Sequence, residues 1–179
     1  MFVRNLTLSV FALAMMGALI ISNINAKAAF ASEYYDPAGY WIVKKKDVVI
    51  YISHCGDELC GRIYWLRADA MQTDDYNPNS KLQARPLCGV DVLWGARQSK
   101  ADHNFWKSGT IYKANDGEHY KAQITMADVD TLELRGYIGF PAIGKTSTLT
   151  RVNPADYEQC ASVFDDDNSP EKKRINHNR

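Results

Sequence analysis

Two cysteines, Cys55 and Cys60, are the residues whose type and spacing best fit a chemical role. Cysteine pairs form structural disulfides or act in redox enzymes, where a lowered thiol pKa makes one of them reactive. Redox enzymes use C-x-x-C spacing with a helix start beside the thiol. This chain has C-x-x-x-x-C spacing and no predicted helix start there. We therefore expect a structural disulfide between Cys55 and Cys60 rather than a redox-active pair.

The other two cysteines are Cys88 and Cys160. Four cysteines allow three connectivities, and the short separation favours the pairing of Cys55 with Cys60. So short a ring stabilises a fold by only about 2 kcal/mol, and its main role would be to fix the bend between two strands. Two alternatives stand for Cys88 and Cys160: a second disulfide that ties the C-terminal extension to the domain, or a buried free Cys88 with an exposed Cys160.

Motifs for catalysis and cofactor binding are missing from the sequence. It has no G-x-S-x-G elbow, no H-E-x-x-H, no phosphate-binding glycine loop and no dinucleotide fingerprint. Its four histidines are scattered, and only folding would bring His54 and His119 together with Asp57 or Glu58. We predict no catalytic residue, no metal site and no cofactor, and we expect the protein not to be an enzyme.

Aromatic residues point to a binding role instead, because small-molecule pockets are lined mainly by such side chains with a few polar anchors. Aromatic side chains also fill small barrels as structural core, and a slip of one residue in a strand reverses every face. The candidate ligand-binding residues, taken from the expected inward face of the middle strands, are Tyr51, Tyr64, Trp94, Tyr112 and Arg135.

The elements that must position these residues are β-strands. Between residues 40 and 152 the hydrophobic period is close to 2, and no stretch sustains a helical stripe. Turn sequences such as Asn115-Asp116-Gly117 indicate hairpins. About eight strands are predicted, over residues 40–43, 48–53, 62–66, 90–94, 110–113, 120–126, 132–135 and 145–152.

Short sequential hairpins predict an all-β fold: a single eight-stranded up-and-down antiparallel barrel over residues 36–155, which leaves no exposed edges. The long link at residues 67–87 interrupts the regular spacing of the strands. We expect it to be either a lid or a surface loop.

Trp41 and Arg151 lie at opposite ends of this pattern, within Gly39-Tyr40-Trp41 and Thr148-Leu149-Thr150-Arg151. The arrangement resembles the lipocalin signature, in which a G-x-W tryptophan closes one barrel end and an arginine from the last strand lies across its ring. The resemblance implies a cation–π contact that closes the barrel here. The alternative is that Trp41 is a core aromatic and Arg151 a surface cation.

A second resemblance covers nearly the whole domain. The sequence is similar to the secreted bacterial family catalogued as domain of unknown function 2147 (DUF2147). The matching segments are GYW at 39–41, ISHCGDELCGRI at 52–63, NP at 77–78, RPLCG at 85–89, WKSGTIY at 106–112, DG at 116–117, LRGY at 134–137 and TLTR at 148–151. The resemblance implies an exported lipocalin-like barrel and brings no catalytic residues. Where many members carry a cysteine pair, this chain has Tyr137-Ile138-Gly139-Phe140.

A signal peptide is predicted at residues 1–28. Arg4 precedes an uncharged apolar run at residues 6–21, and small residues follow at A-x-A sites that end at Ala28 and Ala31. The run is shorter than the roughly 20 residues of a membrane-spanning helix. We expect cleavage after Ala28, or alternatively Ala31, a mature form without a stable membrane span, and a periplasmic or secreted location. The alternative is an uncleaved N-terminal anchor.

The charge balance argues against nucleic-acid binding. The chain has 21 basic and 21 acidic side chains, and loss of Arg4 and Lys27 leaves 19 minus 21, a net charge of about −2. A nucleic-acid binder shows a basic face, whereas Lys44-Lys45-Lys46 is a lone triplet in a predicted hairpin connection. Residues 164–179 are highly charged with little apolar content, and we predict a disordered tail there.

Three functions remain open at this point. The first is a lipocalin-like carrier of a small apolar or amphipathic ligand. The second is a non-catalytic envelope structural or interaction module with a filled barrel that displays the long link. The third, an enzyme of unrecognised type, is the weakest, because no nucleophile, base and orienting group can be assembled from the spacing.

Overall fold

The computed structural model describes residues 33–43, 45, 47–69 and 72–157. The eight strands are β1 (Gly39–Val43), β2 (Val48–Cys55), β3 (Glu58–Leu66), β4 (Asp91–Gln98), β5 (Phe105–Lys113), β6 (Glu118–Met126), β7 (Thr131–Tyr137) and β8 (Lys145–Arg151). Short 3₁₀ turns lie at Ser80–Leu82, Pro141–Ile143 and Pro154–Asp156. Within these ranges no helix is long and apolar enough to cross a membrane. The predicted signal peptide and tail lie outside the described residues.

The strands form one closed barrel in which each pairs antiparallel with the next and β8 returns to β1. The closing register sets Trp41 opposite Arg151 and Val43 opposite Leu149. The predicted all-β fold, a single eight-stranded up-and-down antiparallel barrel, is confirmed. Closure pairs the backbone groups that an open sheet would leave at its edges.

Three strands, β3, β4 and β5, extend at least four residues beyond the predicted bounds, and each contains a backbone irregularity. In β5 the register with β6 shifts between Trp106 and Gly109, and the intervening Ser108 has a positive φ of 65°. In β4, Gly95 has a φ of 74°. A bulge moves the following side chains to the other face, so the period-2 pattern that marks a strand stops there although the strand continues.

The barrel has two ends, which we name by their connections. The disulfide end carries the β2–β3, β4–β5 and β6–β7 turns, together with the start of β1 and the end of β8. The loop end carries the β1–β2, β3–β4, β5–β6 and β7–β8 connections. The longest of these is the β3–β4 connection, of which residues 72–90 are described without interruption and are named the long connection here.

The barrel interior is occupied by the main hydrophobic core. Its most completely buried members are Trp41, Ile52, Leu59, Leu87, Ile124, Leu132 and Leu149. All eight strands and the long connection supply core residues, and burial of each large side chain stabilises the fold by about 1.5–3 kcal/mol. Because Leu87 belongs to the long connection, this connection is part of the folded core rather than a detached surface loop.

The long connection also contacts the barrel through its backbone. Asp74 N–H donates to the Arg85 carbonyl at 3.1 Å and Leu87 N–H to the Gln72 carbonyl at 2.8 Å, which folds the connection back on itself. Its Tyr76 carbonyl lies against Gly117 in the β5–β6 turn, so closely that a Cβ at position 117 would collide with that oxygen. The connection therefore covers the loop end at close range.

A second, smaller hydrophobic cluster lies on the outside of the barrel over β1, β2 and β3. It contains Ile42, Val49 and Tyr64, with Tyr40, Tyr51, Trp65, Val152 and Tyr157 packed against it. Side chains alternate between the faces of a strand. Tyr51 therefore points away from its neighbours Ile50 and Ile52, which belong to the main core.

Candidate functional site

The β2–β3 hairpin at the disulfide end is held by the predicted covalent bond. Cys55 and Cys60 are joined by a disulfide with their Cα atoms 5.9 Å apart, as the sequence predicts. Cys55 pairs with Glu58 across the two-residue turn Gly56-Asp57. Gly56 has a φ of 68°, a conformation that glycine adopts without a steric cost. The bond ties one strand of the turn to the other and fixes the side chains that the turn presents.

A cleft of about 380 Å³ opens beside this hairpin. One wall is aromatic, formed by Tyr34 and Trp106 with ring centroids 6.4 Å apart. Trp106 is buried, whereas Tyr34 is 48 % exposed. The remaining wall is polar and includes His54, Asp57, Glu58 and Arg97. The cleft therefore combines an accessible ring with groups of both charges.

Tyr34 is positioned by the segment that precedes β1. The Asn104 side chain accepts a hydrogen bond from Tyr35 N–H at 2.8 Å and donates to the Glu33 carbonyl at 2.6 Å. These two contacts hold both neighbours of Tyr34 against the β4–β5 turn. The aromatic wall of the cleft is thus fixed to the barrel on each side of the ring.

Two ion pairs set the electrostatics at the polar wall. Arg97 donates from Nε at 2.9 Å and from Nη2 at 2.6 Å to one oxygen of Glu58. His54 Nε2 lies 2.9 Å from Asp36 Oδ1. Burial alone would raise the pKa of Asp36, but the Ala38 N–H and His54 outweigh it and lower that pKa. Both pairs face solvent, so they orient side chains more than they stabilise the fold.

Trp41 and Arg151 meet at the base of the same end. The guanidinium carbon of Arg151 lies 4.2 Å from the Trp41 ring centroid. Arg151 also donates to the carbonyls of Val129 at 2.7 Å, Ala38 at 2.8 Å and Asp36 at 2.8 Å. The structure therefore brings together the two residues of the lipocalin-type signature, and their contact joins the last strand to the segment before β1.

The loop end contains a buried polar cluster centred on Asp74. This carboxylate is fully buried and accepts from Tyr112 Oη at 2.5 Å, Asn77 Nδ2 at 2.8 Å and Arg85 Nε at 2.8 Å. Burial alone would raise the Asp74 pKa, but the three hydrogen bonds and the Arg85 charge lower it. Burial and the bond to Asp74 raise the pKa of Tyr112 to about 12. The cluster attaches the long connection to β5.

The five candidate ligand-binding residues are not brought together. Tyr51 and Tyr64 lie in the outer cluster rather than on the inner face where we expected them. Both faces of β2 and β3 carry large apolar residues, so alternation could not select the inner one. Tyr112 belongs to the main core and reaches the buried polar cluster through its hydroxyl, and Trp94 packs against the main core with its ring 5.6 Å from that of His119.

Arg135, the fifth candidate, has a different role. Its guanidinium donates to the carbonyls of Pro141 at 2.7 Å and Ala142 at 3.2 Å and to Thr146 Oγ1 at 2.8 Å. Arg135 therefore holds the β7–β8 connection in place on the outer side of the barrel. None of the five residues lines the cleft at the disulfide end.

His54 and His119 lie far apart, and the cysteines outside the hairpin include another disulfide-bonded residue, Cys88. His54 is at the disulfide end and His119 at the loop end, so the grouping that folding might have produced does not form. In the described part of the chain, no group of three or more His, Cys, Asp and Glu side chains is placed to hold a metal ion. Cys88 is disulfide-bonded rather than free. Cys160 lies outside the described residues, so its pairing with Cys88 stays a prediction.

The comparison with protein families decides what the chain is related to. Residues 39–151 match the family described as "Uncharacterized protein conserved in bacteria (DUF2147)". The chain belongs to the DUF2147 family. The resemblance inferred from the sequence motifs is thereby confirmed, and the matched range coincides with the barrel from β1 to β8.

This DUF2147 chain also resembles a solved structure. It matches the protein HP1028 of Helicobacter pylori, described as belonging to the lipocalin family, at 21 % identity and a TM-score of 0.59. The match covers 68 % of this chain and 86 % of that protein. Similarity at this identity shows a shared lipocalin-like fold. No curated protein matches the sequence.

The DUF2147 segments fall mainly at two places in the structure. Residues 52–63 form the disulfide hairpin and residue 106 the buried ring of the cleft. Asn77, Arg85 and Tyr112, from three other segments, meet in the buried polar cluster. The motifs that identified the family therefore also marked both polar sites, although their spacing in the sequence did not indicate which of them would meet.

Sequence reasoning missed four residues of the cleft, Tyr34, Arg97, Gln98 and Trp106, and Asp74 at the centre of the polar cluster. Tyr34 precedes the first predicted strand, and Arg97 and Trp106 lie in the parts of β4 and β5 beyond the predicted bounds. Asp74 is one of several acidic and amide residues in the long connection. Trp106 belongs to the family segment at 106–112, whereas Tyr34, Asp74 and Arg97 lie outside all of the family segments.

Proposed function

We propose that this protein is an exported, non-catalytic barrel that binds a small amphipathic ligand in the cleft at the disulfide end. The observation that carries the proposal is the cleft of about 380 Å³ with one aromatic and one charged wall. Small-molecule sites usually have volumes of roughly 300–1,000 Å³ and combine apolar contact area with a few polar anchors. The size and the lining of this cleft fit that description.

The two walls define the class of ligand. The exposed ring of Tyr34 offers a surface for a short chain or a ring. Arg97, His54 and the Asp57 carboxylate lie opposite and would orient a polar group. The disulfide and the contacts of Asn104 hold both walls in place before binding. Such preorganisation lowers the conformational entropy that a ligand must overcome.

The end of the barrel is favoured over its interior as the binding site. The large core side chains, Trp41, Leu59 and Leu132 among them, occupy the space in which a lipocalin-type barrel holds a small ligand. A ligand at the disulfide end displaces none of them. The proposed mode is therefore binding at the rim rather than enclosure.

Export is supported by the apolar run at residues 6–21 and by the disulfide between Cys55 and Cys60. Disulfides persist in the periplasm and outside the cell, and they are rare in the cytosol of most bacteria. Cell fractionation with mass spectrometry of the N-terminus tests this part of the proposal. We expect the protein outside the cytoplasm with residues 1–28 or 1–31 removed, and full-length protein in the cytoplasm would contradict it.

The binding proposal can be tested with 1-anilinonaphthalene-8-sulfonate, a fluorescent probe that joins aromatic rings to an anionic group. We expect saturable binding to the oxidised protein, weakened about tenfold by Tyr34→Ala, which removes the accessible ring. Tyr76→Ala is the matched control, because Tyr76 is 60 % exposed at the opposite end. Equal binding by wild type and Tyr34→Ala would overturn the proposal.

A second candidate function is supported by the filled interior. In this view the barrel is a scaffold, and the long connection, fixed by Asp74 and Leu87, presents the exposed Tyr76 and Leu82 to a protein partner. Deletion of the connection would remove core residues, so substitution is the better test. Tyr76→Ser with Leu82→Ser should abolish capture of such a partner, and retained capture would exclude this function.

A further inference from the structure

The β7–β8 connection, residues 138–144, exposes the most solvent-accessible large apolar side chains in the described part of the chain. Ile138 is 68 % exposed, Phe140 76 % and Ile143 77 %. Exposed apolar residues are ordinary when they are scattered. Three of them within six positions concentrate exposed apolar surface on one short connection, and concentrated apolar surface marks contact sites for proteins or membranes.

This connection is a built structure rather than a loose loop. Arg135 donates to the carbonyls of Pro141 and Ala142 from beneath. The Gly144 N–H donates to the Pro141 carbonyl at 2.9 Å and closes the 3₁₀ turn. Gly139 adopts a φ of 71° with open space around it. The backbone therefore holds the apolar side chains outward instead of letting them fold onto the barrel.

Basic residues lie around Ile138, Phe140 and Ile143, which we call the apolar tip. Lys145 follows the connection directly and is exposed, and Lys121 is exposed on β6 opposite Tyr137. Because β8 pairs with β1, the β1–β2 connection, whose Lys45 is exposed, is the neighbouring connection at this end.

Most acidic residues of the loop end are already matched by cations. Four of its carboxylates pair in this way: Asp69 with Arg67, Asp74 with Arg85, Asp91 with Arg62 and Asp116 with Lys113. Among the described residues, four lysines at positions 45, 81, 121 and 145 remain beside the three carboxylates of Asp47, Asp75 and Glu118. The described surroundings of the apolar tip therefore carry a small excess of positive charge, and Lys145 and Lys121, which lie next to the tip along the chain and across the sheet, are both cations.

We propose that the β7–β8 connection is a membrane-contact site that inserts Ile138, Phe140 and Ile143 into the interfacial layer of an anionic lipid bilayer. Apolar and aromatic side chains enter the boundary between headgroups and acyl chains, while lysines remain at the anionic headgroups. The patch is a projecting tip of one short connection with a basic surround. That shape and charge fit a lipid surface better than a groove in a protein. The proposal does not depend on a ligand in the cleft.

Vesicle sedimentation tests this contact. The vesicles are made of phosphatidylcholine alone or of phosphatidylcholine and phosphatidylglycerol in equal parts. We expect binding to the anionic vesicles that weakens as salt is raised, because salt screens the lysines. The triple variant Ile138→Ser, Phe140→Ser, Ile143→Ser should bind about tenfold or more weakly, since the apolar insertion is lost. Any contribution from residues 1–32 is the same in both proteins.

Val129→Ser is the matched control, because Val129 is 56 % exposed in a connection at the opposite end. It should bind vesicles as the wild type does. The proposal is overturned if wild type binds neither vesicle, or if the triple variant binds as well as wild type. It is also overturned if the patch instead joins two copies of the chain, so that the triple variant converts a dimer to a monomer without changing vesicle binding.

A tryptophan probe gives an independent readout. Phe140→Trp should shift its emission to shorter wavelength when anionic vesicles are added, because the indole leaves water. Val129→Trp should not shift. A Phe140→Trp spectrum that stays unchanged while the protein sediments with vesicles would show contact through another surface and would exclude this one.

Discussion

The disulfide end and the loop end close the same barrel with opposite arrangements of charge. At the disulfide end a cation, Arg151, lies partly exposed over an aromatic ring and donates to three backbone carbonyls. At the loop end an anion, Asp74, is fully buried and accepts from three side chains. The first end has short turns beside a cleft, and the second is covered by a long connection.

This difference determines how strongly the stability of each end depends on its central residue, Asp74 at the loop end and Arg151 at the disulfide end. A buried carboxylate is costly unless every lone pair finds a donor, so the loop end requires its polar cluster to be complete. The partly solvated guanidinium of Arg151 can turn to water when a partner is lost. We therefore expect the loop end to tolerate substitution less well than the disulfide end, and the following experiments test that order.

The largest expected change in the free energy of unfolding comes from removing the disulfide of Cys88, and it distinguishes this bond from that of Cys55 with Cys60. If Cys88 pairs with Cys160, the ring spans the last five strands, and its removal by Cys88→Ser with Cys160→Ser should lower the free energy of unfolding by about 4 kcal/mol. Cys55→Ser with Cys60→Ser opens a much shorter ring, at about 2 kcal/mol. Urea unfolding measures both values. Peptide mapping without reductant must also recover the pair of Cys88 with Cys160, and a different partner for Cys88 would refute the pairing.

Asp74→Ala should be the most destabilising single substitution in the buried polar cluster. It leaves Arg85 and the Tyr112 hydroxyl without their acceptor, and we expect a loss of about 3 kcal/mol in urea unfolding. Asp75→Ala is the control, because Asp75 is exposed and contacts only Thr73 among the described hydrogen bonds. Its effect should stay below about 0.5 kcal/mol. Equal effects would mean that the cluster does not hold the connection.

The loss of folding stability at acidic pH is a second test of the role of the Asp74 carboxylate. The pKa of Asp74 is lower in the folded protein than its ordinary value of 3.8. The carboxylate therefore contributes stability above that value, and this contribution is lost as the pH falls below it. The wild type should lose more stability than Asp74→Ala between neutral and strongly acidic pH, and parallel curves would contradict the assignment.

Arg151→Ala should lower the free energy of unfolding by about 2 kcal/mol, through loss of the contact with Trp41 and of the hydrogen bonds to three carbonyls. Arg67→Ala removes an exposed ion pair with Asp69 and should change it by less than about 1 kcal/mol. If Arg151→Ala proves more damaging than Asp74→Ala, the proposed order of the two ends is reversed.

Tyr112→Phe should have the smallest effect, about 1 kcal/mol at neutral pH, because it removes the hydrogen bond to Asp74 and a longer one accepted from Asn77 at 3.2 Å. Its pH dependence is more diagnostic. The Tyr112 pKa is raised from 10.0 to about 12, so its contribution is complete below pH 10 and is lost as the pH rises towards 12. Stability measured across that interval should fall less in Tyr112→Phe than in wild type. Tyr76→Phe, at an exposed position, should follow the wild-type curve.

The fold was readable from the sequence because the strands bury one face against a single interior. In β7, Leu132 and Leu134 alternate with Glu133 and Arg135, so one periodicity predicts both the strand and its orientation. In β2 both faces carry apolar residues, since the outer cluster covers Val49 and Tyr51. Alternation identifies such a strand but cannot say which face is inside, and the two tyrosines were therefore assigned to the wrong side.

The candidate sites were less predictable, because their members come from segments without regular periodicity. Tyr34 is placed by Asn104, which lies in a turn about 70 residues further along the chain. Asp74 is buried only because the long connection folds back and meets β5. Contacts of this kind depend on tertiary packing, which neither spacing nor composition records. The disulfide hairpin is the exception, since a five-residue separation restricts its geometry.

The close approach of Tyr76 to Gly117 has a practical consequence. Any larger residue at position 117 collides with the Tyr76 backbone and also strains a φ of 72°. Because Gly117 belongs to a short turn of the barrel and Tyr76 to the long connection, such a residue pushes the connection away from the barrel and strains the bond of Asp74 to Tyr112. Gly117→Ala would therefore disturb the attachment of the long connection without removing any ionisable group.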